Sequence, residues 1–132
     1  AAAVKAMESL GADTYNVPTD LSPAQLAAIR AVTSLPLDVY VEVPDDFGGF
    51  VRHYEIAELV RVASPVFVKF GLRNAPNIYP SGTHLEQTAV ALGRERVRRA
   101  EIGLSMLERY YPQAETTKPG TPFAGIPARE AA

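Results

Sequence analysis

Cysteine is absent from this 132-residue chain, which excludes disulfides, thiolate metal sites, iron-sulfur clusters and cysteine nucleophiles. Long apolar runs are missing too. None reaches the roughly 18 residues that a membrane-spanning helix needs, and the opening AAAVKAMESL lacks the apolar core of a signal peptide. Charge bias is small, with a formal net charge of -2, so nothing global favours a nucleic acid or an anionic membrane as partner. These absences suit a cytoplasmic protein. An initiating Met is lacking as well, and the sequence reads as a piece of a longer polypeptide. What remains, 47% hydrophobic and 21% charged residues, is the composition of an ordinary globular domain.

Within that composition, NVPTD at 16–20 returns as EVPDD at 42–46. Each copy sits where a β-prone run gives way to a helical one. DTYNV at 13–17 precedes LSPAQLAAIRAVTS, in which Ser22, Pro23 and Gln25 supply an N-cap, a first-turn proline and a capping-box partner. LPLDVYVEVP at 35–44 alternates Val39, Val41 and Val43 with Asp38, Tyr40 and Glu42, as a strand requires. HYEIAELVRVA at 53–63 then shows helical spacing of Ile56, Leu59 and Val60. A third copy, PVFVKFG at 65–71, leads through the long loop LRNAPNIYPSGT to a closing helix that begins near His84. In that helix Val97, Ala100, Leu104, Leu107 and Tyr111 recur at helical spacing, with Gly93 as a candidate break. A short helix over 2–10, closed by Gly11, opens the chain.

Aligning the copies puts Asn16, Glu42 and Lys69 in one slot, 42 minus 16 or 26 and 69 minus 42 or 27 residues apart. Repeated βα units of this length predict an α/β fold with a parallel sheet. Three strands leave two long edges, so the chain is expected to be the C-terminal part of a (β/α)8 barrel, incomplete here. A small open flavodoxin-like sheet is the alternative, although it would normally want five strands. On the barrel reading, residues 1–111 are the partial barrel. Residues 112–132, with four of the eleven prolines, form an extended or disordered tail.

In a barrel the inward residues at strand ends carry the chemistry. The alternation turns Val39, Val41, Val43, Val66, Val68 and Phe70 toward the helices, which leaves Glu42 and Lys69 facing the axis on neighbouring strands, with Asn16 beside them. Lys69 can form a Schiff base with a carbonyl substrate and Glu42 can act as acid or base; the bland reading is a salt-bridged cluster of the three. Asp45 and Asp46 are candidates for a divalent cation, or for ordinary turn and N-cap chemistry. Arg73 can clamp a carboxylate or phosphate, and Asn74, Ser81 and His84 join it as substrate-binding candidates on a loop long enough to be functional. The basic run RERVRR at 94–99 reads as a solvated helix face.

At GADTYNVPTDLS, PLDVYVEVPDDFGGF and VKFGLRNAPNIYPSG the sequence resembles the later half of actinobacterial β/α-barrel proteins grouped with the peptidase U32 family, over roughly residues 1–112. The resemblance implies a barrel. Some members are proteases, and others modify RNA or assist hydroxylation using clustered cysteines, a chemistry this chain cannot share. The resulting expectation is part of an enzyme acting on a small anionic or carbonyl-bearing substrate, of lyase, isomerase or hydrolase type. The alternatives are a noncatalytic module completed by a partner subunit or a second copy, and a U32-like peptidase. Beyond a divalent cation the residues specify no cofactor.

Overall fold

The computed structural model describes residues 1–118. Helix α1 spans Ala2–Ser9, and Gly11 beyond it takes the left-handed φ of 87°. Strand β1 is only Tyr15–Asn16. Helix α2, Pro23–Arg30, begins with the capping box read from the sequence: the Gln25 amide donates to Ser22 Oγ at 3.3 Å, and the Ser22 amide to Gln25 Oε1 at 2.8 Å. Strand β2 (Leu37–Glu42), helix α3 (Ile56–Ala63), strand β3 (Val66–Phe70) and helix α4 (Glu86–Tyr110) complete the order. Short 3₁₀ turns cover Asp45–Phe47, His53–Glu55 and Thr83–Leu85. Helix α4 runs unbroken through Gly93. No helix among the described residues is long and apolar enough to cross a membrane.

The three strands form one parallel sheet in the order β1-β2-β3. Leu37, Val39 and Val41 of β2 are fully buried and share one core with Val4 of α1, Leu26 and Ile29 of α2, Ile56, Leu59, Val60 and Ala63 of α3, and Leu107 of α4. Val66, Val68 and Phe70 pack against the same core. Helix α4 approaches β3 closely because position 103 has no side chain: a Cβ on Gly103 would lie 2.6 Å from Phe70 Cζ and 3.0 Å from Ile56 Cδ1. The other face of the sheet carries Asn16, Asp38, Tyr40, Phe67 and Lys69. All five remain partly or fully exposed, and none joins the core.

The half-barrel expectation is therefore corrected. What the described residues build is an open three-stranded sheet with several helices, and β1 at its edge is two residues long. Alternation and βα order fix a parallel sheet with apolar residues toward the helices. They do not fix closure, which depends on strand number, tilt and stagger. Of the expected tail, residues 112–118 are described: they contain no helix or strand, and Ala114 packs against the core. Residues 119–132 lie outside the described residues.

Candidate functional site

Strand register decides which polar residues meet at the carboxyl ends of the strands. Asn16 pairs with Asp38 and Tyr40 with Lys69, so these four share the face turned from the core. On it Lys69 Nζ donates to Asn16 Oδ1 at 3.2 Å and stands 5.2 Å from the centre of the Tyr40 ring. Thr14 Oγ1 donates to Asp38 Oδ2 at 3.2 Å. Among the described residues Lys69 forms no ion pair, so its ammonium is held by an amide oxygen and an aromatic face.

Glu42 lies elsewhere. A register shift between Tyr40 and Glu42 pairs Glu42 with Phe70, and the extra residue of such a bulge turns the following side chain to the other face. The Glu42 carboxylate is 2% exposed. Its Oε1 accepts from the Arg73 amide at 3.3 Å, while Oε2 lies 3.2 Å from His53 Nε2 and 3.7 Å from Arg99 Nε of α4. The last two contacts are electrostatic, since none of those three buried atoms finds an aligned hydrogen bond. Glu42 and Lys69 thus sit on neighbouring strands with separate partners, and the paired arrangement expected from the repeat does not form.

The loop after β2 explains how His53 reaches Glu42. Its chain returns alongside the strand it has just left: the Val43 amide donates to Phe50 O at 2.9 Å and the Arg52 amide to Val41 O at 2.8 Å. Arg52, 5% exposed, then ties three segments together. It donates to the carbonyls of Tyr40 (3.1 Å), Leu21 (2.5 Å) and Thr19 (3.2 Å), so the loops after β1 and β2 are fixed to each other. Burial lowers the pKa of this guanidinium below its ordinary value, and nearby Glu55 opposes the shift.

A second tie joins the loops after β2 and β3. Arg73 Nε donates to Asp45 Oδ1 at 2.9 Å, and the amide of Asn74, in the left-handed region at φ 57°, donates to Asp45 Oδ2 at 2.6 Å. The Arg73 hydrogen bond, followed by that of the Asn74 amide, holds the Asp45 carboxyl below its usual value of 3.8. Arg73 and Asn74, read as substrate binders, are thus engaged within the protein, and Asp45, read as a metal ligand, already has two donors. Asp46, Ser81 and His84 are exposed. No cluster of three or more His, Asp and Glu side chains able to hold a metal ion occurs among the described residues.

Sequence reasoning missed His53, which opens the helical segment 53–63 without a role of its own, and Arg99, which falls in the basic run read as a solvated helix face. The available signal was spacing: Arg99 stands one helical turn after Glu95, whose Oε1 lies 3.0 Å from its Nε. No protein-family model, curated protein or solved structure matches the chain.

Proposed function

We propose that the carboxyl ends of the strands bind a small anionic or carbonyl-bearing molecule, that Lys69 is the group that meets it, and that the chain is part of an α/β enzyme built on this contact. One observation carries the reading: the ammonium of a partly buried lysine near a strand end, steered by Asn16 and Tyr40, with no carboxylate within ion-pair distance among the described residues. In open α/β sheets ligands bind outside the carboxyl ends of the strands. A cation held there without a counter-charge attracts a carboxylate or phosphate. With a carbonyl compound the neutral amine of Lys69 adds to the carbonyl carbon and water leaves, which gives an imine. In this reading Glu42 does not act on the substrate; it positions the Arg73 amide at the rim.

The test is an NMR titration of the isotope-labelled chain with inorganic phosphate and, separately, with pyruvate, followed by borohydride reduction of the pyruvate sample and peptide mass mapping. The expected result is a saturable shift centred on Asn16, Tyr40 and Lys69. A reduced adduct on the peptide carrying Lys69 would mark imine chemistry. Unchanged spectra with both compounds and no adduct would overturn the proposal.

A further inference from the structure

We infer that the molecule received by Lys69 is an α-amino acid, with its carboxylate on the Lys69 ammonium and its own ammonium on the Asp38 carboxylate. The inference rests on the reading of Lys69 as the strand-end group that receives an anion, and it names what carries that anion. Two opposite charges share the open face of the sheet. Asp38 pairs in register with Asn16 on one side and with Phe67 on the other, while Tyr40, two residues further along β2, pairs with Lys69. Asp38 and Lys69 are therefore diagonal neighbours on adjacent strands. Neither forms an ion pair, with the other or with any further group among the described residues.

Neutral groups at the sheet edge hold the two charges apart. Thr14 Oγ1 donates to Asp38 Oδ2 at 3.2 Å, and Lys69 Nζ donates to Asn16 Oδ1 at 3.2 Å. Two residues of extended chain separate these anchors by roughly 7 Å. An α-amino acid, with ammonium and carboxylate on one carbon and a charge-assisted hydrogen bond of about 2.8 Å at each end, spans such a gap. Both groups keep capacity for it. Asp38 Oδ1 accepts no hydrogen bond among the described residues, and Asn16 uses one of the three donors that an ammonium carries.

Charge selects this occupant over simpler ones. Asp38 repels a phosphate or plain carboxylate drawn to Lys69, and Lys69 repels a plain amine drawn to Asp38, whereas a zwitterion turns both charges into contacts. The sign of the Asp38 effect thus depends on the ligand. Tyr40 and Phe67, which share this face and stand outside the core, offer apolar surface to the carbon skeleton.

The experiment is an NMR titration of the full isotope-labelled chain with L-alanine, L-lactate and inorganic phosphate, repeated on Asp38→Asn. L-Lactate carries a hydroxyl where L-alanine carries its ammonium, and asparagine at position 38 removes the charge while keeping an acceptor for Thr14. Amide spectra away from the face verify the fold. The expected result is a saturable shift at Asn16, Asp38 and Lys69, with a Kd for L-alanine roughly threefold or more below that for L-lactate, the scale of one exposed charge pair. In Asp38→Asn that preference disappears, while phosphate binds more tightly because the repelling carboxylate is gone. Equal affinities for L-alanine and L-lactate, alongside phosphate binding, overturn the inference and leave Lys69 as an anion receiver. So does a preference for L-alanine that survives Asp38→Asn. Unchanged spectra with all three compounds overturn the inference together with the reading it rests on.

Discussion

His53 Nε2 stands 3.2 Å from Glu42 Oε2, with both side chains almost wholly buried. The pair joins the end of the central strand to the turn that starts α3, and Arg99 at 3.7 Å adds α4 to the same carboxylate. A buried carboxylate is costly unless opposite charge and hydrogen bonds surround it. Here the polar partners, His53 and Arg99, come from two elements that follow the strand in sequence, so the polar cluster forms only when both have docked.

A double-mutant cycle of Glu42→Gln and His53→Gln, read by urea denaturation, should therefore give a coupling of about 1 kcal/mol or more. The same cycle with Arg99→Met should give less, because Arg99 lies farther away and its side chain is 37% exposed, which lets it turn to water. Zero coupling in both cycles would mean that the cluster is held by packing alone, and equal couplings would mean that Arg99 engages the carboxylate as firmly as His53 does.

Gly103→Ala tests the packing of α4 on β3. Helix propensity favours alanine, yet the added Cβ would press on the Phe70 ring and on Ile56 at 2.6 to 3.0 Å. Overpacking of this kind costs about 1–3 kcal/mol, which outweighs a propensity gain of about 1 kcal/mol. The variant should lower the thermal midpoint, and a raised midpoint would show that α4 can shift outward freely.

The elements of this fold were largely legible in the sequence, and the meeting of their side chains was not. Alternation of Val39, Val41 and Val43 places β2, and the spacing of Ile56, Leu59 and Val60 places α3, because both patterns follow from burial of one face. The stagger between parallel strands has no such marker. Aligning the repeats puts Asn16, Glu42 and Lys69 in one slot, whereas the register pairs Asn16 with Asp38 and Lys69 with Tyr40. One bulge before Glu42 then separates it from Lys69, and a returning loop brings it His53. Both depend on tertiary hydrogen bonds between residues that no local pattern links.

Acid should open the tie between the loops after β2 and β3 before the rest of the protein unfolds. The Asp45 carboxyl titrates below 3.8 in the folded chain, chiefly through the Arg73 hydrogen bond. A group whose folded pKa is depressed contributes stability above its unfolded pKa and loses it as pH falls through the folded one. The contribution is thus complete at neutral pH, declines below about 3.9 and is gone once Asp45 is protonated in the folded state. The amide resonance of Asn74 should report the release. In Asp45→Asn the same resonance should already sit near its acid position at neutral pH, and an unchanged Asn74 signal there would remove Asp45 from the tie.

Lys69→Arg separates the two chemistries open to the strand-end cation. Arginine keeps the positive charge and can still receive a carboxylate or phosphate, but it cannot supply the neutral amine that an imine needs. If Lys69 serves as an anion anchor, the variant should retain the phosphate-dependent shifts of Asn16 and Tyr40 within a few-fold in affinity, and Lys69→Ala should abolish them. If it forms an imine, Lys69→Arg should lose the borohydride-reduced pyruvate adduct as completely as Lys69→Ala while both remain folded. An adduct that persists in Lys69→Ala would place the reactive amine on another lysine and leave the strand ends without a carbonyl-binding role.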